Sequence, residues 1–272
     1  MSSPTEKPKK SSKGYDLINR GVYRSTPVGT ATFIGLRVLD LPLQYQILAH
    51  SWGESIVNKL GQDIIPLTSW ATSLSTLPLH RQILLFMATG STVKQLFWLL
   101  FLSREEFPAS AAIPVSIYNT LVNSVNSLLL ITAATSAASM SPTLHIPGTA
   151  QTLSLPIVLG TVMYVTGMLV ETGSEIQRRK FKDDPKNKGR VCTTGMWGYA
   201  RHANYAGYTV WRTGYCLAAG GWIAAAGMAA WHAWTFYTRS IPILDDYMSG
   251  RYGDLWKKYK ADVPYMLFPG IY

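Results

Sequence analysis

The chain has 272 residues, 47% of them hydrophobic and 15% charged, with a formal net charge of +10. Two cysteines, Cys192 and Cys216, exclude a disulfide framework and a cysteine-built metal site. The basic excess raises nucleic acid as a partner, but the positive residues lie in the N-terminal tail, at 178–190 and at 251–260, each beside an apolar run; charge so placed belongs to the cytosolic face of a membrane, and nucleic acid is set aside.

The overall hydrophobic content is ordinary. Its clustering is not: several windows of about 20 residues are mostly apolar, the length at which a helix spans a bilayer. Residues 1–25 carry Lys7, Lys9, Lys10 and Lys13 among Ser and Pro and read as a disordered basic cytosolic tail. The first candidate membrane helix covers about 28–50; Arg37, Asp40 and Pro42 interrupt it, and an interfacial position is its alternative. Residues 51–81 read as a loop with a short helix. The second candidate covers 82–103 and is apolar apart from Lys94, and "REEF" then makes a polar turn. The third covers about 111–134, with Asn119, Asn123 and Asn126 on one stripe; amides are costly against lipid, so the stripe is expected to face other helices or a cavity.

A Pro/Ser/Thr-rich loop at 139–152 precedes the fourth candidate, 153–170, which runs on into a polar, basic segment. There Glu171, Glu175 and Arg178 share one helical face, and two carboxylates one turn apart need a partner. Glu175 paired with Arg179 is the structural reading, and a ligand at the membrane edge is the functional one. Next comes "GMWGYARHANYAGYTVW" (195–211). An aromatic belt explains Trp197, Tyr199 and Trp211 but leaves Arg201, His202 and Asn204 unexplained. The run 211–237 is long enough for two short helices hinged at Gly220-Gly221 or for one tilted helix, and Arg212 at its start is expected to face the interior. The segment 251–260, with Trp256 and Tyr259 on one face, reads as an interfacial amphipathic helix. His50, His80, His145, His202 and His232 form no metal-binding spacing. Six crossings place the tail, the 178–190 loop and the C-terminus together in the cytosol.

The stretches "FKDDPKNKGR", "GMWGYARHANYAGYTVW" and "LDDYMSGRYGDLWKKYKADVPYMLFPGIY" resemble the C-terminal half of the steroid 5-alpha-reductase and sterol-reductase superfamily, most nearly its fungal DUF1295 branch. The isoprenylcysteine and phospholipid methyltransferases share a similar Arg-His-x-x-Tyr-x-Gly pattern. The resemblance covers about 168–272. It implies an all-α, polytopic integral membrane helical bundle with about six transmembrane helices. The tail would be followed by N-terminal membrane helices over 26–165 and a cofactor-binding domain over 166–272, its pocket facing the cytosol. The bound group would be NADPH as in the reductases, or S-adenosylmethionine as in the methyltransferases.

By the same resemblance, Glu171, Glu175 and Asn204 would fix amide, ribose or adenine groups, with Tyr205 completing the Asn-Tyr pair. Arg201 and Arg239 would hold phosphates. Arg178, Tyr199 and His202 would border the pocket, and Asp246 and Tyr252 would close over it. Two positions depart from the reductase pattern: Ala203 replaces a Pro, and Tyr208 replaces the acid after Gly207. An aromatic there is a methyltransferase trait. Reduction of a C=C bond in a steroid or other lipid is the first expectation, methylation of a lipid or prenylated substrate the alternative, and a non-enzymatic membrane protein keeping the fold the third. An endoplasmic-reticulum membrane is implied. No catalytic residue carries over. Lys94 and the Asn stripe are candidate pocket-lining groups.

Overall fold

The computed structural model describes residues 20–67 and 73–271. Most of the expected disordered tail lies outside them. Its end, 20–25, is fastened: Gly21 N–H donates to Glu105 at 2.9 Å, and Arg24 pairs with Glu106.

Helix α1 (Pro27–His50) begins with Pro at its first turn, where no amide partner is lost, and stops at Ser51 in a left-handed conformation. A short α2 (Glu54–Lys59) follows, the short helix expected within 51–81. Helix α3 (Leu79–Phe97) widens into a π turn at Trp98–Leu102, and α4 spans Ala109–Ile131. The expected 139–152 loop contains a small antiparallel ladder, β1 (Thr143–His145) on β2 (Thr152–Ser154). Helix α5 (Leu155–Asp183) has 29 residues, about 43 Å at 1.5 Å per residue, so it outruns a bilayer core of about 30 Å and carries its polar end beyond it.

Helix α6 (Ala203–Thr235) breaks at Gly221, where φ is 70° and ψ −158°. Only glycine tolerates that conformation. Tyr205 and Phe236 stack at 4.6 Å, and the rings of Tyr208 and His232 lie 5.0 Å apart. These pairs mirror each other about the break, so α6 is a hairpin of two antiparallel arms. The hinge reading holds and the single tilted helix does not. After a π turn, α7 (Ile241–Tyr252) and α8 (Asp254–Asp262) complete the chain.

Beside its apolar core the bundle buries a polar network, and it turns large apolar side chains outward. Arg37, Asp40, Gln44, Asn119 and Asn123 are buried, while Leu39 is 65%, Leu121 60% and Leu169 68% exposed. A water-soluble protein is built the other way round. Inside, Asp40 accepts from Arg37 at 3.1 Å, Gln44 at 2.8 Å and Asn123 at 2.7 Å. The residues that interrupt α1 in the sequence therefore stitch α1 to α4, and the Asn stripe faces other helices as expected. By length and composition, two helices are fit to cross a membrane, Leu79–Leu102 and Leu155–Asp183.

Helix α5 packs most extensively against the first arm of α6. A Cβ on Gly167 would stand 2.4 Å from Trp211 N, and one on Gly207 2.4 Å from Glu171 N. Small residues let the two backbones touch.

Candidate cofactor site at the mouth of the bundle

The end of α5, the 195–202 turn and the start of α6 meet at one end of the bundle. The turn is held by main-chain partners. Trp197 Nε1 donates to Ser174 O at 2.9 Å, and Tyr259 Oη donates to Trp197 O at 2.6 Å. Arg201 N and His202 N donate to Tyr265 O and Met266 O at 3.0 and 2.9 Å, so the C-terminal segment wraps around the turn. Trp256 and Tyr259 are buried in a small core with Val191 and Val263. Helix α8 therefore packs its aromatic face on protein, in place of the interfacial position read from its pattern.

Glu175 sits at the centre. Its Oε1 accepts from Asn204 Nδ2 at 2.7 Å and its Oε2 from Arg178 at 2.6 Å. The partner is thus Arg178, not Arg179, which pairs with Asp183 at 2.9 Å. Glu171 faces inward, accepting from Lys94 and, at 2.6 Å, from Trp211 Nε1. Lys94 is bound by this pair across α3 and α5. Arg178 also lies over the Trp197 ring at 5.4 Å.

Arg201 Nη1 donates to Val263 O at 2.7 Å and Pro264 O at 2.9 Å. His202 is buried and stacks on Tyr205 at 5.3 Å. Burial, and next the Arg201 charge, lower its pKa to about 4, so the ring is neutral at physiological pH. The stack continues from Tyr205 through Phe236 to His232. Tyr208 stands at its inner end, with its hydroxyl 3.3 Å from the Arg212 Nε that donates to it. Beside Phe236 lies an apolar cavity of about 340 Å³, lined by Ala233, Trp234, Tyr237, Ile241 and Leu267.

Of the residues singled out from sequence, Glu175, Arg178, Asn204, His202, Tyr205 and Tyr208 come together along this mouth and stack. Glu171 lies one turn deeper. Tyr199 and Arg239 are on the surface. Tyr252 accepts from Lys182 Nζ at 2.8 Å, away from Glu175, and Asp246 is half-buried on α7. The pattern missed Phe236 and His232. The signal was present: Tyr205 lies 15 residues before Gly220 and Phe236 15 after Gly221, so folding at that pair brings them together. Gly207 permits the close approach of α5.

The family model described as "Protein of unknown function (DUF1295)" matches residues 115–263. The chain is 35% identical over 246 residues to "Probable O-methyltransferase ustE" of Ustilaginoidea virens, covering 88% of this chain and 84% of that protein. It is 30% identical over 161 residues to the "Delta(14)-sterol reductase" of Neurospora crassa, covering 43% of this chain and 33% of the reductase. It is 25% identical over 119 residues to "Protein-S-isoprenylcysteine O-methyltransferase" of Dictyostelium discoideum, 42% of this chain and 49% of that protein.

Proposed function

This chain belongs to the DUF1295 family, and we propose that it is an integral membrane enzyme that methylates an oxygen of an apolar substrate, with S-adenosylmethionine as donor. One observation carries the choice over NADPH. The two arginines beside the motif are committed: Arg178 to Glu175, and Arg201 to main-chain carbonyls. A dinucleotide with several phosphates needs fixed two-donor cations, and these have been spent internally. A phosphate-free sulfonium needs aromatic faces instead, which attract a cation through their ring quadrupole. Trp234 and Tyr237, exposed in the cavity beside the Tyr205–Phe236 stack, supply such faces, so the residues present fit the donor. The relative named as an O-methyltransferase, aligned along most of the chain, supports the same reading.

The donor supplies an electrophilic methyl carbon. The residues do the rest. Asn204, held by Glu175, and Tyr205 position the donor's polar and aromatic parts. The cavity beside Phe236 admits the apolar body of the substrate from the bilayer. The closed aromatic stack excludes water, which would otherwise compete as nucleophile. Six crossings, by α1, α3, α4, α5 and the two arms of α6, leave both ends and the mouth in the cytosol, where the donor is found. The endoplasmic reticulum suits a lipid-soluble substrate.

Hydride transfer from NADPH to a C=C bond is the second reading, and the Asn204-Tyr205 pair shared in pattern with sterol reductases favours it. Purified protein in nanodiscs, given a total lipid extract, separates the two. Transfer of label from methyl-tritiated S-adenosylmethionine into the organic phase, lost in Asn204→Ala, supports methylation. NADPH oxidation by the same extract without labelling overturns it.

A further inference from the structure

Deeper in the bundle, on the inner side of Tyr208, Arg212 is fully buried. The other buried cations of the bundle are satisfied: Arg37 pairs with Asp40 and Lys94 with Glu171, and Arg81 donates to the Leu48 and Ile65 carbonyls. Arg212 makes no ion pair among the described residues. Its Nη2 donates to the neutral Asn119 amide and its Nε to Tyr208, while Nη1 is buried without a partner. The guanidinium lies 4.2 Å from the Trp211 ring centroid and also faces the rings of Tyr118 and Tyr208. Asn119 in turn accepts from Gln95, and Gln95 accepts from Arg37 at 2.8 Å. Two guanidiniums thus share one hydrogen-bonded chain with a single carboxylate, Asp40. His232, 2% exposed beside Tyr208, also has both ring nitrogens unpartnered.

An uncompensated cation buried in an apolar medium is costly, and ring faces offset only part of that cost. We propose that Arg212 is the anion-recognition residue of a ligand site inside the bundle, and that the ligand is an apolar molecule bearing an anionic oxygen, as a carboxylate or an ionised phenol or enol. Nη1 and Nη2 offer the oxygen a planar two-donor edge, and His232 offers a further donor. The consequence for chemistry rests on the methyl-transfer reading. An oxygen already ionised needs no general base: its lone pair forms the O–CH3 bond while the S–CH3 bond breaks, and the electron pair leaves on sulfur, which becomes neutral.

The test uses matched pairs of probes, dodecanoate with methyl dodecanoate and pentachlorophenolate with pentachloroanisole, bound to the whole protein in nanodiscs and read by competition with a radiolabelled anion. At least one anion is expected to bind tenfold or more tightly than its methylated partner, and the anion that does so identifies the oxygen. Arg212→Gln is expected to abolish that preference and Arg212→Lys to retain most of it. Equal binding of both anions and their neutral partners by the unaltered protein overturns the proposal, whether or not the variants fold, and so does a folded Arg212→Gln protein that keeps the preference. S-adenosylmethionine binding is measured separately by equilibrium dialysis. Its absence alongside an intact anion preference sinks the methylation reading and leaves the Arg212 site standing.

Discussion

His202 shows how burial sets chemistry at the mouth. Its ring is neutral in the folded protein because its pKa is held at about 4, below the ordinary 6.5. The unfolded chain takes up a proton below pH 6.5 and the folded chain does not until about pH 4. Stability linked to this residue is therefore fully present above pH 6.5 and is lost as the pH falls toward 4. His202→Gln should flatten the fall of the unfolding midpoint across that window, and an unchanged slope contradicts the assignment. Asn204 makes a second prediction. Its bond to the Glu175 carboxylate is of a kind worth about 1.5–3 kcal/mol, so Asn204→Ala should weaken donor binding by roughly tenfold or more with the helices intact by circular dichroism. Unchanged affinity removes Asn204 from the site.

Among the elements, the α5–α6 crossing and the α6 hairpin do most of the positioning. Gly207→Ala places a methyl 2.4 Å from a backbone nitrogen that cannot move alone, and overpacking of this kind costs about 1–3 kcal/mol. Gly227→Ala, in open space on the second arm, is the control and should be neutral or slightly stabilising. A thermal scan that ranks the two alike contradicts the packing account. Gly221 is the other demand. A residue with a side chain in its conformation costs about 1–3 kcal/mol, so Gly221→Val should lower the unfolding midpoint and loosen the Tyr205–Phe236 stack. The hinge was legible because paired glycines interrupt an apolar run. The β1–β2 ladder was not, because three-residue strands in a Pro/Ser/Thr-rich segment have too few alternating positions to show a period. Nor was Arg178 as the partner of Glu175: positions three and four residues on both lie within reach, and Arg179 is taken by Asp183 and the Leu102 carbonyl.

Over the whole molecule, the burial of a polar network explains why some helices were easier to read than others. Helices α3 and the first part of α5 keep their polar groups few, and they pass a test of length and hydropathy. Helices α1 and α4 carry the interior network, so Arg37, Asp40, Gln44 and the Asn stripe lower their apparent fitness for lipid even though lipid never meets those side chains. The meeting of His202, Asn204 and Tyr205 at one end of the bundle was legible through the Arg-His-x-Asn-Tyr pattern. The commitment of Arg201 was not, since its partners are main-chain carbonyls 62 and 63 residues away. The topology has its own test. In a background with Cys192 and Cys216 replaced by Ser, Thr149→Cys and Asp184→Cys flank α5 at exposed positions and should react with an impermeant maleimide from opposite sides of sealed vesicles. Labelling of both from one side contradicts a single crossing by α5.

Which cofactor the mouth accepts decides the reaction. Equilibrium binding of S-adenosylmethionine and of NADPH to the purified protein in nanodiscs measures it. Methyl transfer requires saturable S-adenosylmethionine binding, which NADPH is expected not to displace and Tyr205→Ala to weaken. Saturable NADPH binding indifferent to S-adenosylmethionine would contradict it.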